Sequence, residues 1–133
     1  MSVGAAIRED APAILVSRFM DELQEPRKPY ISSERFAERL GMSKMTLARL
    51  AGVHRNTLRT NPASEVLQAR LREMIKIIIA ASQLTGDIEK AKYWFMNEPI
   101  FDYRGKTAAE LVSDGKFEAV LAFLEDLRNG ASG

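Results

Sequence analysis

Cysteine is absent from the 133 residues, and histidine occurs once. The first absence excludes disulfides, thiolate nucleophiles and cysteine-ligated zinc, and the second leaves His54 without a companion for a metal site. Neither sign of charge is in excess: 19 basic and 18 acidic residues give a formal net charge of +1. Any nucleic-acid footprint must therefore come from local clustering. A long hydrophobic run is also missing. The most apolar stretch, MIKIIIAA from Met74 to Ala81, contains Lys76 and falls far short of the roughly 20 residues that cross a bilayer. Residues 1–30 carry Glu9, Asp10, Asp21, Glu22 and Glu25, and no basic segment leads into an apolar core. No secretory signal is read there, and a cytoplasmic protein without membrane contact is expected.

What is present is 46% apolar and 28% charged, the balance of a packed chain rather than a disordered one. The length suits one compact domain or two very small ones. Residues 1–11 read as a loose tail. Pro12 suits a first helical turn, and Ile14, Leu15, Phe19 and Leu23 recur at helical spacing. The two prolines of EPRKPY, residues 25–30, mark a linker. Ser32 and Ser33 are caps for a helix with Phe36, Ala37 and Leu40 on its apolar face and Gly41 at its end. Ser43 starts another, with Leu47, Leu50 and Ala51 inward and Gly52 as its stop. Residues 54–60 form a short third piece closed by Asn61-Pro62.

Val66, Leu67, Leu71, Met74, Ile75 and Ile78 make a stripe broad enough for a helix packed on more than one neighbour. The β-branched IKIII allows a strand, but good helix formers lead into it and no turn signal intervenes before Thr85-Gly86. Asp87 caps a helix to about Met96, and 99–106 reads as irregular. Thr107 and Glu110 have capping-box spacing. Phe117, Val120, Leu121, Leu124 and Leu127 mark a last amphipathic helix, ended by Asn129-Gly130 ahead of a short ASG tail. No segment makes a convincing strand and no repeat is found, so the fold class is all-α.

Residues 43–60, SKMTLARLAGVHRNTLRT, pose the sharpest question. A helix-turn-helix needs a small residue where its helices cross, a tight turn, and an apolar plug after it. Ala48, Gly52 and Val53 supply these, with Leu47 and Leu58 pointing inward. Lys44, Thr46, His54, Arg55, Asn56, Thr57 and Arg59 are then free to contact DNA: Arg suits guanine or phosphate, Asn adenine, Thr phosphate or a thymine methyl. The alternative is a structural corner with solvated basic residues. The run MSKMTLARLAGVHRNTLR resembles the Xre-type helix-turn-helix of phage-repressor-like regulators, with His54 where that family usually has Ser and a recognition helix shortened by Asn61-Pro62.

Downstream, Trp94 is the largest side chain, with Phe95, Phe101 and Tyr103 nearby; residue types alone favour core packing for all four. Gly105 suits a backbone geometry that other residues resist. The ordered set Ala91, Trp94, Pro99, Gly105, Thr107, Leu111, Gly115, Val120, Leu124 and Gly130 resembles the toxin-binding domain of Xre/MbcA/ParS-type antitoxins. The chain departs from that pattern at Ala108 (usually Pro), at Arg104 (usually Gly), and by one extra residue between Trp94 and Pro99.

The resemblance implies an antitoxin of a bacterial type II toxin–antitoxin system, partnered by a RES-type toxin that consumes NAD or by a related ADP-ribosylating toxin. It also implies that the last helix and tail cover the toxin's cleft. Glu118, Glu125, Asp126, Arg128, Asn129 and Gly130 are the toxin-contact candidates. For each charge the plainer alternative is a solvated helix face. The implied organisation is a tail and amphipathic helix over 1–30, a helix-turn-helix domain with a long connecting helix over 31–86, and the toxin-binding module over 87–133. The first helix either covers the repressor-like domain or pairs two copies; a homodimer on operator DNA is expected. No cofactor or metal site is read. An enzyme is the weakest reading, since no nucleotide loop is present and Glu125-Asp126, adjacent in sequence, point to different parts of the helix surface. The alternative function is a helix-turn-helix transcription regulator without a toxin partner.

Overall fold

The computed structural model describes residues 15–130. The expected tail over 1–11, the start at Pro12, Ile14 and the terminal ASG lie outside the described residues. Among the described residues the chain is mostly helical. α1 covers residues 15–23. It is followed by α2 (Ser33–Leu40), α3 (Lys44–Ala51), α4 (Thr57–Thr60), α5 (Glu65–Thr85), α6 (Ile88–Asn97), α7 (Ala108–Ser113) and α8 (Phe117–Arg128).

The boundaries follow from local chemistry. Ser32 Oγ accepts the Arg35 N–H ahead of α2, and Ser43 Oγ accepts the Thr46 N–H ahead of α3. Gly41 and Gly52 close those helices at φ 67° and 70°, the left-handed region where a Cβ is strained. Asp87 Oδ1 accepts from Glu89 and Lys90 at the start of α6. The capping box forms at α7: Thr107 Oγ1 accepts the Glu110 N–H, and Glu110 Oε1 accepts the Thr107 N–H. IKIII is helical, within the 21 residues of α5.

α5 is the axis of the fold. Its buried residues Leu67, Leu71, Met74, Ile75, Ile77, Ile78 and Ala81 occupy more than one stripe, and α3, α6, α7 and α8 all pack against it. One buried cluster runs from Phe19 through Phe36, Leu47, α5 and Phe95 to Val120 and Leu124. It is continuous across all three segments of the sequence.

Two segments differ from the sequence reading. Residues 25–30, expected as a linker, form a closed loop. The Glu25 N–H donates to Tyr30 O, the Ser32 N–H donates to Leu23 O, and Gln24 bridges Ile31. Phe19 and Leu23, four apart on one helix face, are buried in the chain's own core, and Lys92 Nζ lies 5.7 Å from the Phe19 ring centroid, a cation–π distance. The second difference is a small hairpin in the segment expected to be irregular: β1 (Pro99–Ile100) pairs antiparallel with β2 (Lys106–Thr107). Ile100 is buried, which holds the hairpin on the core. The turn uses Arg104 at φ 59° and Gly105 at φ 75°. Among the described residues no helix is long and apolar enough to cross a membrane.

Candidate functional site

The corner between α3 and α4 is held from inside. Leu47, Ala48, Leu50, Ala51 and Leu58 are buried and Val53 packs against the core, which leaves the polar residues of the corner to face outward. The Val53 N–H donates to Ala48 O, closing the turn that Gly52 permits. Lys44, His54, Arg55, Asn56 and Arg59 are exposed, while Thr46 and Thr57 are half-buried. Ser43 Oγ donates to Thr46 Oγ1. Of the seven expected DNA-contact residues, Thr46 therefore already has a local partner.

His54 has a local task too. Its Nδ1 accepts the Asn56 N–H at 3.1 Å, which is the work a hydroxyl cap performs at a helix start. The imidazole thus closes the turn and keeps its other edge on the surface. The helical part of the second element is one turn, Thr57–Thr60. Turn bonds from the Thr57 and Leu58 N–H groups to His54 O and Arg55 O prolong it backwards.

Behind this face lies a cavity of about 360 Å³, walled by the start of α2 (Ser33, Glu34), by Lys44, and by Arg55, Asn56, Leu58 and Arg59. Four of the expected DNA-contact residues converge here. Ser33 and Glu34 join them, although Ser33 reads from sequence only as a cap. None of Lys44, Arg55 and Arg59 is ion-paired among the described residues.

The distal module offers a different surface. On α8, Val120 and Leu124 are buried. Glu118, Glu125, Asp126, Arg128, Asn129 and Gly130 are all exposed. Glu125 and Arg128 share a shallow depression with Leu84 and Leu121; the other four do not line it. The larger feature is a groove of about 550 Å³ between the end of α5, α6 and the end of α8, lined by Leu84, Tyr93, Trp94, Leu124 and Leu127 and rimmed by Glu89, Lys90 and Glu98.

Sequence reasoning missed this groove. Leu127, expected inward, is 51% exposed, and Tyr93 is 61% exposed. Trp94, the expected anchor, is half-buried at the groove wall, and Phe95 takes the core position. The spacing held the signal: Ile88, Ala91 and Phe95 are the buried face of α6, which leaves Trp94 at its edge. Phe101 is 95% exposed on the hairpin turn, against the expectation of core packing. Asp102 and Arg104 beside it are also exposed, while Tyr103 is half-buried against the core.

Comparison with protein-family models, with curated proteins and with solved structures gave no match.

Proposed function

We propose that the protein is an antitoxin of a bacterial type II toxin–antitoxin system. Its distal module neutralises a RES-type toxin that consumes NAD or ADP-ribosylates, and its helix-turn-helix holds operator DNA. The observation that carries this reading is the apolar groove along α6 and α8, with Leu84, Tyr93 and Leu127 open to solvent. Exposed apolar surface of this kind favours a protein partner, and aromatic side chains are the usual anchors. The groove's polar rim is Glu89, Lys90 and Glu98, and the exposed polar candidates on α8 supply further toxin contacts beside it. Arg55, Asn56 and Arg59 stand on the surface of the second element and supply the DNA half of the proposal. A homodimer would place two such elements on paired half-sites, with Leu15 and Met20 as the open apolar positions of α1.

The test is co-purification with the product of the adjacent open reading frame, and relief of its growth arrest. Truncation at α8 is a poor tool, because removing Val120 and Leu124 opens the core. Leu127→Glu is the cleaner variant: it should abolish neutralisation while duplex binding stays unchanged. Neutralisation at wild-type strength would reject the groove.

One observation favours a second reading, a transcription regulator without a toxin. A groove of about 550 Å³ lies within the size range of small-molecule pockets, so an apolar effector would also fit. A regulator of this kind would bind its operator with effector-dependent affinity and copurify with no toxin.

A further inference from the structure

We propose that the groove between the end of α5, α6 and the end of α8 takes one amphipathic helix of the protein partner. That helix sets a basic residue against Glu98, an acidic residue against Lys90 and apolar side chains between them. The inference rests on the antitoxin reading above and names the element that the toxin presents to this face. The walls decide the shape of the occupant. Leu84, Tyr93, Trp94 and Leu127 belong to three helices, and an α-helix uses its N–H groups along its own axis. The N–H groups of Glu89 and Lys90, at the start of α6, are taken by Asp87 Oδ1. The groove therefore offers no strand edge, and a chain entering it must satisfy its own backbone groups. A helix does this while laying an apolar face on the wall.

The rim decides its charges. Lys90 stands in the first turn of α6 and Glu98 just past its last residue, about 12 Å apart along the helix. Glu89, the third charge on the rim, already holds Lys92 at 2.6 Å. Lys90 and Glu98 are exposed and make no ion pair among the described residues. A cation at one end and a carboxylate at the other, with Tyr93 and Trp94 between them, are matched by a helix that carries the opposite charges about two turns apart. The apolar stripe of such a helix, at i, i+4 and i+7, then covers Tyr93, Trp94 and Leu127.

Trp94 is the chain's single tryptophan and stands on the groove wall, so its emission reports occupancy. The test titrates the full chain with a short helix-forming peptide that lacks tryptophan. The peptide carries leucines at i, i+4 and i+7 between one arginine and one glutamate, about two turns apart. The expected result is a saturable blue shift, which Leu127→Glu abolishes without a fall in melting temperature. Glu98→Lys should weaken binding about fivefold, the scale of one rim ion pair, and exchanging the peptide's arginine for glutamate should restore it. No saturable shift, or equal binding by a peptide with a central proline, which breaks a helix, would overturn the proposal. An emission shift on dilution of the chain alone, or on removal of residues 1–14, would give the groove to a second copy or to the chain's own first residues and reject the partner helix. Toxin neutralisation is read separately. Neutralisation without peptide binding keeps the antitoxin reading and removes the helix; peptide binding without neutralisation keeps a helix-binding groove and removes the antitoxin reading.

Discussion

Gln68 closes a ring of hydrogen bonds with Ile31: its Oε1 accepts the Ile31 N–H at 2.9 Å, and its Nε2 donates to Ile31 O at 2.9 Å. The same Nε2 donates to Pro62 O at 2.9 Å. One buried amide on α5 therefore ties down both the segment entering α2 and the segment leaving α4. These two segments bracket the corner that carries Arg55 and Arg59.

Gln68→Ala leaves three backbone groups without partners around a residue that is 6% exposed. An expected loss of about 2–4 kcal/mol in urea unfolding follows from the cost of orphaned buried polar groups. A loss below about 0.5 kcal/mol would mean that water replaces the amide without difficulty.

Arg104 sits at φ 59° in the turn of the hairpin. The left-handed conformation costs an L-residue roughly 1–2 kcal/mol, part of which glycine gives back through the entropy of its unfolded chain. Arg104→Gly should raise stability by about 0.5–1 kcal/mol. Thermal denaturation checks this, and a destabilised variant would show that the Arg104 side chain contributes something beyond its backbone.

Leu124 and Leu127, three apart on α8, separate packing from recognition. Leu124 is 3% exposed, and Leu124→Ala should cost about 2–4 kcal/mol by the usual core-cavity scale. Leu127 is a groove residue, and Leu127→Ala should cost less than about 1 kcal/mol. Equal losses on chemical denaturation would place Leu127 in the core after all.

Arg55 and Arg59 are exposed and unpaired among the described residues. Their alanine variants should fold normally. Each that contacts phosphate lowers the salt slope of operator binding by about one unit, and each that reads guanine removes about 1–3 kcal/mol of discrimination. Unchanged affinity in both would leave the corner as plain architecture.

Helix boundaries were legible because they are written in short-range chemistry: Ser43 and Gly52 around α3, Asp87 ahead of α6, and the Thr107–Glu110 box. The all-α class followed from the same signals. The closed loop at residues 25–30 was not legible, since its bridge between Gln24 and Ile31 depends on Gln68, 37 positions beyond Ile31. The groove was hidden for a similar reason. Whether Leu127 points into the core or beside it depends on where α8 lands on α5, a tertiary fact that periodicity does not carry.

The division of labour between the two faces is best tested on the enzyme it is proposed to silence. The measurement is NAD consumption by the product of the adjacent open reading frame, titrated with the full-length chain and with Leu127→Glu. Consumption should stop at about stoichiometric full-length chain and persist with Leu127→Glu, although both bind duplex DNA equally. Consumption undiminished by a large excess of the full-length chain would contradict the assignment.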